Sequence, residues 1–353
     1  MSATPAPARP ATPADAAAAA PRVSVLMPAR DAAGFIGDSA RSVLAEAGVA
    51  LELVVVDDGS TDGTAAVLAG IDDPRLRVVP GPRRGISAAL NAAAAAARGS
   101  FLARCDADDF FPAGGRLGPQ LGLLDARPDA VAVAGGYASM DARGRDLAVM
   151  DTGAAEADLT EELRGGRTRT HLGTWLIRRS AWEAVGGARS WFESAEDLDL
   201  QCRLAGEGRV LYRPGVAYRY RLHDASITHR LVSARRTFFD EAVTRFASQR
   251  AAGGPDDLER GRPPEPPGES THAGGPGPAA PGHARSLSAR QQAQGHLMAA
   301  AGRATAEGRR VEALRLLGRA FAADPAAIRR WHHLGQQAAS ALMRPTGGRG
   351  SAR

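Results

Sequence analysis

The sequence predicts an α/β protein built on a mostly parallel sheet flanked by helices. Two observations carry this. Short apolar runs alternate with helical stretches from Val23 to Ala134 across short connections. Two of those runs also end in acidic tips. Leu51 to Val56 runs into Asp57-Asp58-Gly59-Ser60-Thr61-Asp62, and Ser100 to Cys105 runs into Asp106-Ala107-Asp108-Asp109. A continuous apolar run reads as a strand buried on both faces, and carboxylates at its C-terminal end lie at the crevice where open α/β sheets bind ligands. Two such tips on one sheet suit a hard cation and a phosphorylated ligand.

The elements follow in order. Val23 to Met27 is a strand, Gly34 to Glu46 a helix and Leu51 to Val56 a strand. Thr61 to Ala69 is a helix with Ser60 or Thr61 available as its cap. Leu76 to Val79 is a strand. Ile86 to Arg98 is a helix dominated by Ala, the best helix former. Phe101 to Cys105 is a strand, Leu117 to Ala126 a helix and Ala130 to Ala134 a strand. Past Tyr137 the rhythm breaks. Trp175 to Arg178 reads as a strand, Ser194 to Ala205 as a helix and Arg209 to Tyr212 as a strand, completing the sheet and building a second side to the cleft.

The 353 residues exceed one average domain, so one large domain with appendages is expected. Residues 1–21 are an Ala/Pro-rich tail without the charged start and Leu-rich run of a secretory signal. Residues 22–250 form the main domain. Residues 251–284, saturated with Gly and Pro, read as a disordered linker. Residues 285–345 are helical in pattern. Val311 to Phe321 has the spacing of one helix face, Asp324-Pro325 ends it, and Ala326 to Leu342 offers another helix. The string is similar to one tetratricopeptide-type helix pair. One such unit cannot bury its own face, so it is expected to dock on the main domain or on a partner.

Composition excludes several classes. The net charge is +5, yet every cation is Arg and the arginines are spread without a basic run or aromatic interleaving, so no nucleic-acid partner is expected. Cys105 and Cys202, the two cysteines, define neither a zinc site nor a disulfide framework. Both fall in core segments, and a reducing compartment suits them. No apolar run is long enough to cross a membrane. The expected location is cytoplasmic, with a peripheral position at the inner face of the membrane, or a protein partner, reached through the C-terminal helices.

The acidic tips carry specific chemistry. Asp58, Ser60, Asp62 and Gly63 begin like a calcium loop, but Ala69 stands where the closing bidentate Glu is needed. The alternatives are a capped turn and a carboxylate that accepts a ligand N–H. Asp106, Asp108 and Asp109 repel one another unless a proton or cation intervenes. Mg²⁺ or Mn²⁺ suits such a site, because it binds through one or two carboxylates plus phosphate oxygens.

Val23 to Asp31, Val55 to Asp62, Gly85 to Asn91 and Cys105 to Asp109, in this order and spacing, resemble the family 2 glycosyltransferases of the GT-A fold over about residues 22–230. The resemblance implies a Rossmann-like sheet and an inverting transfer of sugar from a nucleoside-diphosphate donor, UDP-linked by expectation, to an acceptor hydroxyl. The acceptor is a glycan, a lipid-linked molecule or another hydroxyl compound, in a bacterial surface-polysaccharide or glycoconjugate pathway. It also implies that Pro28, Ala29, Asp58, Asn91 and Asp106 line the nucleotide pocket. Asp106 and Asp108 hold the metal, Asp108 more directly. Ala29-Arg30 replaces the aromatic-Asn pair frequent in the family, and Leu90 stands where Arg is frequent.

Glu196-Asp197 resembles the family's acidic pair that removes the acceptor proton. A positioned carboxylate raises the reactivity of a poor hydroxyl nucleophile. Asp197 is taken as the base and Glu196 as its neighbour; acids at a helix N-terminus would also suit the macrodipole. Tyr218 to Thr228 looks like the family's closing Arg-x-His…Ser-x-Thr string, which places His223 by the metal and Arg221 by phosphate. Trp191, after Gly186-Gly187, is a candidate sugar-stacking residue for the acceptor. Rival readings are a non-catalytic nucleotide-sugar-binding or scaffold protein, and a nucleotidyltransferase. The latter would want a Gly-rich phosphate loop after the first strand.

Overall fold

A computed structural model describes residues 20–150, 153, 155–224, 233–267 and 288–324. In chain order the elements are β1 (Val23–Ala29), α1 (Ile36–Leu44), β2 (Leu51–Asp57), α2 (Thr64–Ala69), β3 (Leu76–Pro80), α3 (Ile86–Ala96), β4 (Phe101–Arg104), α4 (Leu117–Ala126), β5 (Ala130–Met140), β6 (Asp146–Met150), β7 (Ala157–Asp158), α5 (Thr160–Arg164), β8 (Leu176–Arg178), α6 (Arg179–Ala184), α7 (Glu196–Glu207), β9 (Arg209–Arg221), α8 (Ser233–Ala251), α9 (Ala289–Ala306) and α10 (Arg310–Ala323). Among the described residues the strands form one nine-stranded sheet in the order β3-β2-β1-β4-β8-β5-β9-β7, with β6 hydrogen-bonded to β5.

Strand alternation builds the core. Val23, Val25 and Met27 of β1 and Leu51, Leu53 and Val55 of β2 face one side of the sheet; Leu26, Val54 and Val56 face the other. A period of two with both faces apolar requires helices on both sides. α1 and α4 cover the first face through Ile36, Val43, Leu117, Leu121 and Leu124. α3, α6 and α7 cover the second through Leu90, Ala93, Trp182, Leu200 and Leu204.

β1 to β4 are mutually parallel, with Ala29 opposite Asp57 and Leu26 opposite Arg104. Their C-terminal ends, and so both acidic tips, lie on one edge. β8 then runs antiparallel to both β4 and β5, and β9 lies parallel to β5. The loop after β4 bridges to β9 through Phe110 and Arg219. That bridge brings the second acidic tip against the end of the sheet's later half.

Two strands run past their sequence-predicted ends. β5 continues to Met140 and β9 to Arg221. Pro214-Gly215 reads as a turn, but the strand absorbs it as an irregularity, with Gly215 at φ +107° and the register shifting opposite Gly135-Gly136. A Cβ on Gly135 would lie 2.8 Å from that of Ala217, so only glycine allows this approach.

α8 packs Phe239, Val243 and Phe246 onto Phe192 and Cys202. The segment after it, expected to be disordered from 251, is held over its first part. Asp256 is fully buried between Arg189 and Arg250, and Asp257 pairs with Arg245 and bonds Gln249. Residues 268–284, the rest of the expected linker, lie outside the described residues, as do 1–19, 285–287 and 325–353. α9 and α10 pack as a helical hairpin; the further helix expected over 326–342 lies outside the described residues. α9 opens on a Ser288/Gln291 capping box. The hairpin docks on the main domain through Leu297, Ala300, Ala301 and Ala304 against Ala148 and Met150 of β6. Among the described residues, no helix is long and apolar enough to cross a membrane.

Candidate active site

The first wall grows from the ends of β1 and β2. Pro28 and Ala29 are buried there, and the Asp58 N–H donates to Ala29 O at 2.8 Å. The loops that follow clasp each other. Asp31 accepts from the Thr61 N–H at 2.7 Å, Asp31 N–H donates to Ser60 Oγ at 2.9 Å, and Ala33 N–H donates to Asp62 at 3.0 Å. The buried Asp58 carboxylate accepts from the backbone N–H groups of Arg83 at 2.6 Å, Arg84 at 3.3 Å and Gly85 at 2.9 Å. Its oxygens are therefore committed to shaping the loop before α3. A Cβ on Gly81 would lie 2.6 Å from Asp58 Cα, so that loop closes on Asp58 only with glycine there.

The second wall is the tip of β4. Asp106 meets the Arg104 guanidinium with both oxygens, at 2.6 and 3.0 Å, and its N–H donates to the Tyr218 hydroxyl at 2.9 Å. Asp108 and His223 converge, with Oδ2 and Nε2 2.8 Å apart. The His223 ring lies 4.7 Å from Phe35. Asp109 accepts from the Arg221 N–H at 2.7 Å; burial, then Asp108 and Asp106, push its carboxyl well above the usual range. Arg221 donates to the carbonyls of Asp108 and Ala142 and lies over Phe35 and Phe110, so its guanidinium braces the loop.

The third wall is the start of α7, which Ala195 enters at φ +63°. Glu196 is buried, 3.5 Å from Arg104. Burial and then the neighbouring Asp197 raise it to about 7, against the opposing pull of Arg104. Asp197 is only half-buried and accepts from the Leu198 N–H. Of the acidic pair it is the one with a face toward solvent.

The Asp108–His223 pair fits a hard divalent cation that takes two protein ligands and fills its sphere with phosphate oxygens and water. The expected set of Asp106, Asp108 and His223 is not assembled, because Arg104 engages both Asp106 oxygens. Among the described residues no group of three or more His, Cys, Asp or Glu is placed to hold a metal.

The profile of Glycosyl transferase family 2 matches residues 24–193. The succinoglycan biosynthesis protein ExoU of Rhizobium meliloti (strain 1021) is 32% identical over 240 residues, covering 63% of this chain and 69% of that protein. The chain belongs to glycosyltransferase family 2. A chondroitin synthase of Pasteurella multocida (strain Pm70) is 28% identical over 207 residues; the match covers 58% of this chain but only 21% of that relative's length. The structure of S. aureus TarS 1–349 in complex with UDP-GlcNAc superposes with a TM-score of 0.54 at 15% identity, covering 91% of this chain and 89% of that one. That likeness is one of fold, the GT-A arrangement.

In this family 2 glycosyltransferase two expected site residues are engaged elsewhere. Asn91 donates to Ala188 O at 2.7 Å and accepts from the Ala188 N–H at 2.9 Å, so its amide holds the loop before α7 instead of facing the nucleotide edge. Trp191 packs among Phe192, Phe238, Phe239 and Phe246 at 4.9 to 6.0 Å, a cluster that anchors α8, which departs from the expected sugar-stacking position. Aromatic residues after a Gly-Gly loop look alike in sequence whether they face a ligand or a helix supplied forty residues later.

Sequence reasoning missed two residues of the glycosyltransferase. Arg104 joins Asp106 to Glu196 from within a buried strand. Burial opposes its charge, yet those carboxylates hold it well above the usual arginine range. An arginine ending an otherwise apolar run just before three acids was the available signal. His171 stacks on Tyr218, with centroids 5.1 Å apart and planes at 16°, and its Nδ1 accepts from the Gly173 N–H at 3.0 Å. Burial lowers its pKa, while Asp197 and Asp106 pull the other way. No local pattern marked it.

Proposed function

We propose that the chain transfers a sugar, with inversion, from a nucleoside-diphosphate donor to an acceptor hydroxyl in polysaccharide or glycoconjugate synthesis. UDP is the favoured nucleotide, as in the donor named with TarS, and ExoU's name supports the polysaccharide setting. The observation that carries the reading is that Asp108 with His223, and Glu196 with Asp197, come from distant stretches of chain yet meet around Arg104 and Tyr218.

The donor lies along the C-terminal edge of β1, β2 and β4. Pro28, Ala29 and the Asp58-shaped loop form the base and ribose side. Asp108 and His223 would hold Mg²⁺ or Mn²⁺, which when bound would supply positive charge to offset that of the diphosphate. Asp197 accepts the proton of the acceptor hydroxyl as the new bond forms, and the acceptor oxygen attacks from the side opposite the diphosphate. Glu196, raised to about 7, carries less than a full negative charge beside that base at neutral pH. Arg104 ties the donor-side Asp106 to the acceptor-side Glu196, holding the two halves in register. Both cysteines are free and buried, which suits a reducing cytoplasm.

The test is UDP release from UDP-sugars with Mn²⁺ present, for the wild type and for Asp197→Asn. Wild-type release that falls by about 10³-fold or more in Asp197→Asn, with UDP affinity retained, supports the reading. Equal rates in both proteins reject Asp197 as the base.

A further inference from the structure

We propose that the C-terminal hairpin is part of the active site: through His296 it braces a half-buried platform of Tyr137, His171 and Tyr220 that takes a sugar ring of a saccharide acceptor beside Asp197. The proposal rests on the sugar-transfer reading above and adds the acceptor class and the element that recognises it. α9 and α10 lie beyond residues 24–193, the part matched by the family profile.

Three attachments fix the hairpin over this part of the sheet. At its start, the Ala289 N–H donates to Asp224, one residue past His223, at 3.0 Å. Along its length, Arg303 donates to Val149 O at 2.9 Å. From α10, Arg319 donates to Asp146 O at 2.7 Å. Between them His296 meets two tyrosines, Tyr137 at 6.3 Å and 72° and Tyr220 at 6.5 Å and 44°. Those rings flank His171, at 5.9 and 5.1 Å. His171 in turn stacks on Tyr218, whose hydroxyl holds the Asp106 backbone.

The chemistry of this cluster suits a sugar. Tyr137, His171, Tyr220 and His296 are each half-buried, so the rings are fixed yet reachable. Aromatic faces take the C–H side of a pyranose while nearby polar atoms take its hydroxyls. The Gly173 N–H occupies His171 Nδ1, so the neutral ring carries its proton on Nε2 and can donate to a hydroxyl. His296 Nδ1 is buried without a partner, which is unfavourable until something bonds it. A sugar hydroxyl between α9 and the platform would do so. Through Tyr218 the platform reaches the Asp106 backbone, and Arg104 links Asp106 to Glu196, the neighbour of Asp197, which sets the platform on the side of the base.

The experiment uses the full chain. UDP binding with Mn²⁺ is measured by calorimetry, and UDP release from UDP-glucose and UDP-GlcNAc is followed with cellobiose, lactose and maltose as acceptor probes. One of these disaccharides is expected to accelerate release. His296→Ala is expected to raise the KM for that saccharide about tenfold with kcat changed less than about twofold, and His296→Phe, which keeps the ring but not the Nδ1 acceptor, to recover only part of the loss. Arg319→Ala, which loosens the hairpin at its bond to Asp146 O, shifts KM the same way and covers the case in which His296→Ala fails to fold. An unchanged saccharide KM in both folded variants overturns the proposal. So does an equal loss of kcat and of UDP affinity, which marks a purely structural role, and so does a wild type that binds UDP but ignores all three saccharides. A wild type that does not bind UDP with Mn²⁺ fells the donor reading beneath it instead.

Discussion

Arg104 stands 3.5 Å from Glu196 while its other edge grips both oxygens of Asp106, so one buried cation serves the acids of β4 and of α7. Removing it leaves the buried Glu196 and the half-buried Asp106 without their cation. Arg104→Met is expected to lose about 3–5 kcal/mol of stability in urea unfolding, the usual loss when one side of a buried ion pair is deleted. Arg104→Lys recovers only part of it, because an ammonium cannot match the two-pronged contact with Asp106. A stability within about 0.5 kcal/mol of wild type in Arg104→Met would reject the linkage.

Glu196 gives a pH signature. Its carboxyl is raised from 4.5 to about 7 by burial and by Asp197. An acid with a raised folded pKa binds its proton more tightly in the folded state. The penalty for ionising it is absent below about 4.5 and complete above about 7, so stability falls as pH rises between them. Glu196→Gln should flatten that fall. The measurement is the urea midpoint from pH 4 to pH 8 without divalent cation, and identical profiles would remove Glu196 as the cause.

The Asp108–His223 pair predicts a metal-linked loss. Asp108→Asn and His223→Ala should each weaken UDP binding in Mn²⁺ by about 10- to 100-fold, while binding in EDTA stays close to wild type. Calorimetry in the two buffers separates the cases. Equal losses in both buffers would point to a damaged nucleotide pocket instead.

Asn91 predicts a loss of stability without loss of donor binding. Asn91→Ala strands the N–H and C=O of Ala188, which its amide now satisfies, at an expected cost of about 1–3 kcal/mol. A Cβ on Gly187, which sits at φ +70°, would overlap the Asn91 amide oxygen, so Gly187→Ala should be destabilised in the same way. A large loss of UDP affinity in Asn91→Ala with stability intact would restore it to the nucleotide pocket.

The parallel half of the fold was legible because its physics is local. Apolar runs such as Leu51 to Val56 announce themselves, and Asp58, Asp106 and Asp108 follow their strands directly. The meeting of Asp108 with His223 was expected only through the family resemblance. What stayed hidden depends on partners distant in sequence. Asp58 turns inward because the 83–85 backbone arrives beneath it. Asp106 is held by an arginine two residues earlier, which passed as a strand residue. Trp191 is claimed by α8, and His171 gains its place only when Tyr218 slides under it from β9. The long β9 was broken too early because Pro214-Gly215 has turn chemistry, and only the bulged pairing with β5 carries the strand through.

β8 is three residues long and runs against its neighbours, yet within the sheet it alone joins β4 to β5. Leu176 and Ile177 thus form a seam between the parallel half that carries both acidic tips and the half that carries α7 and β9. New specificities could be grafted by exchanging everything beyond that seam, provided the incoming piece brings a hydroxyl to the position of Tyr218 to meet the Asp106 backbone and an imidazole to that of His223 to meet Asp108. The boundary for such recombination is set by strand polarity and not by any linker.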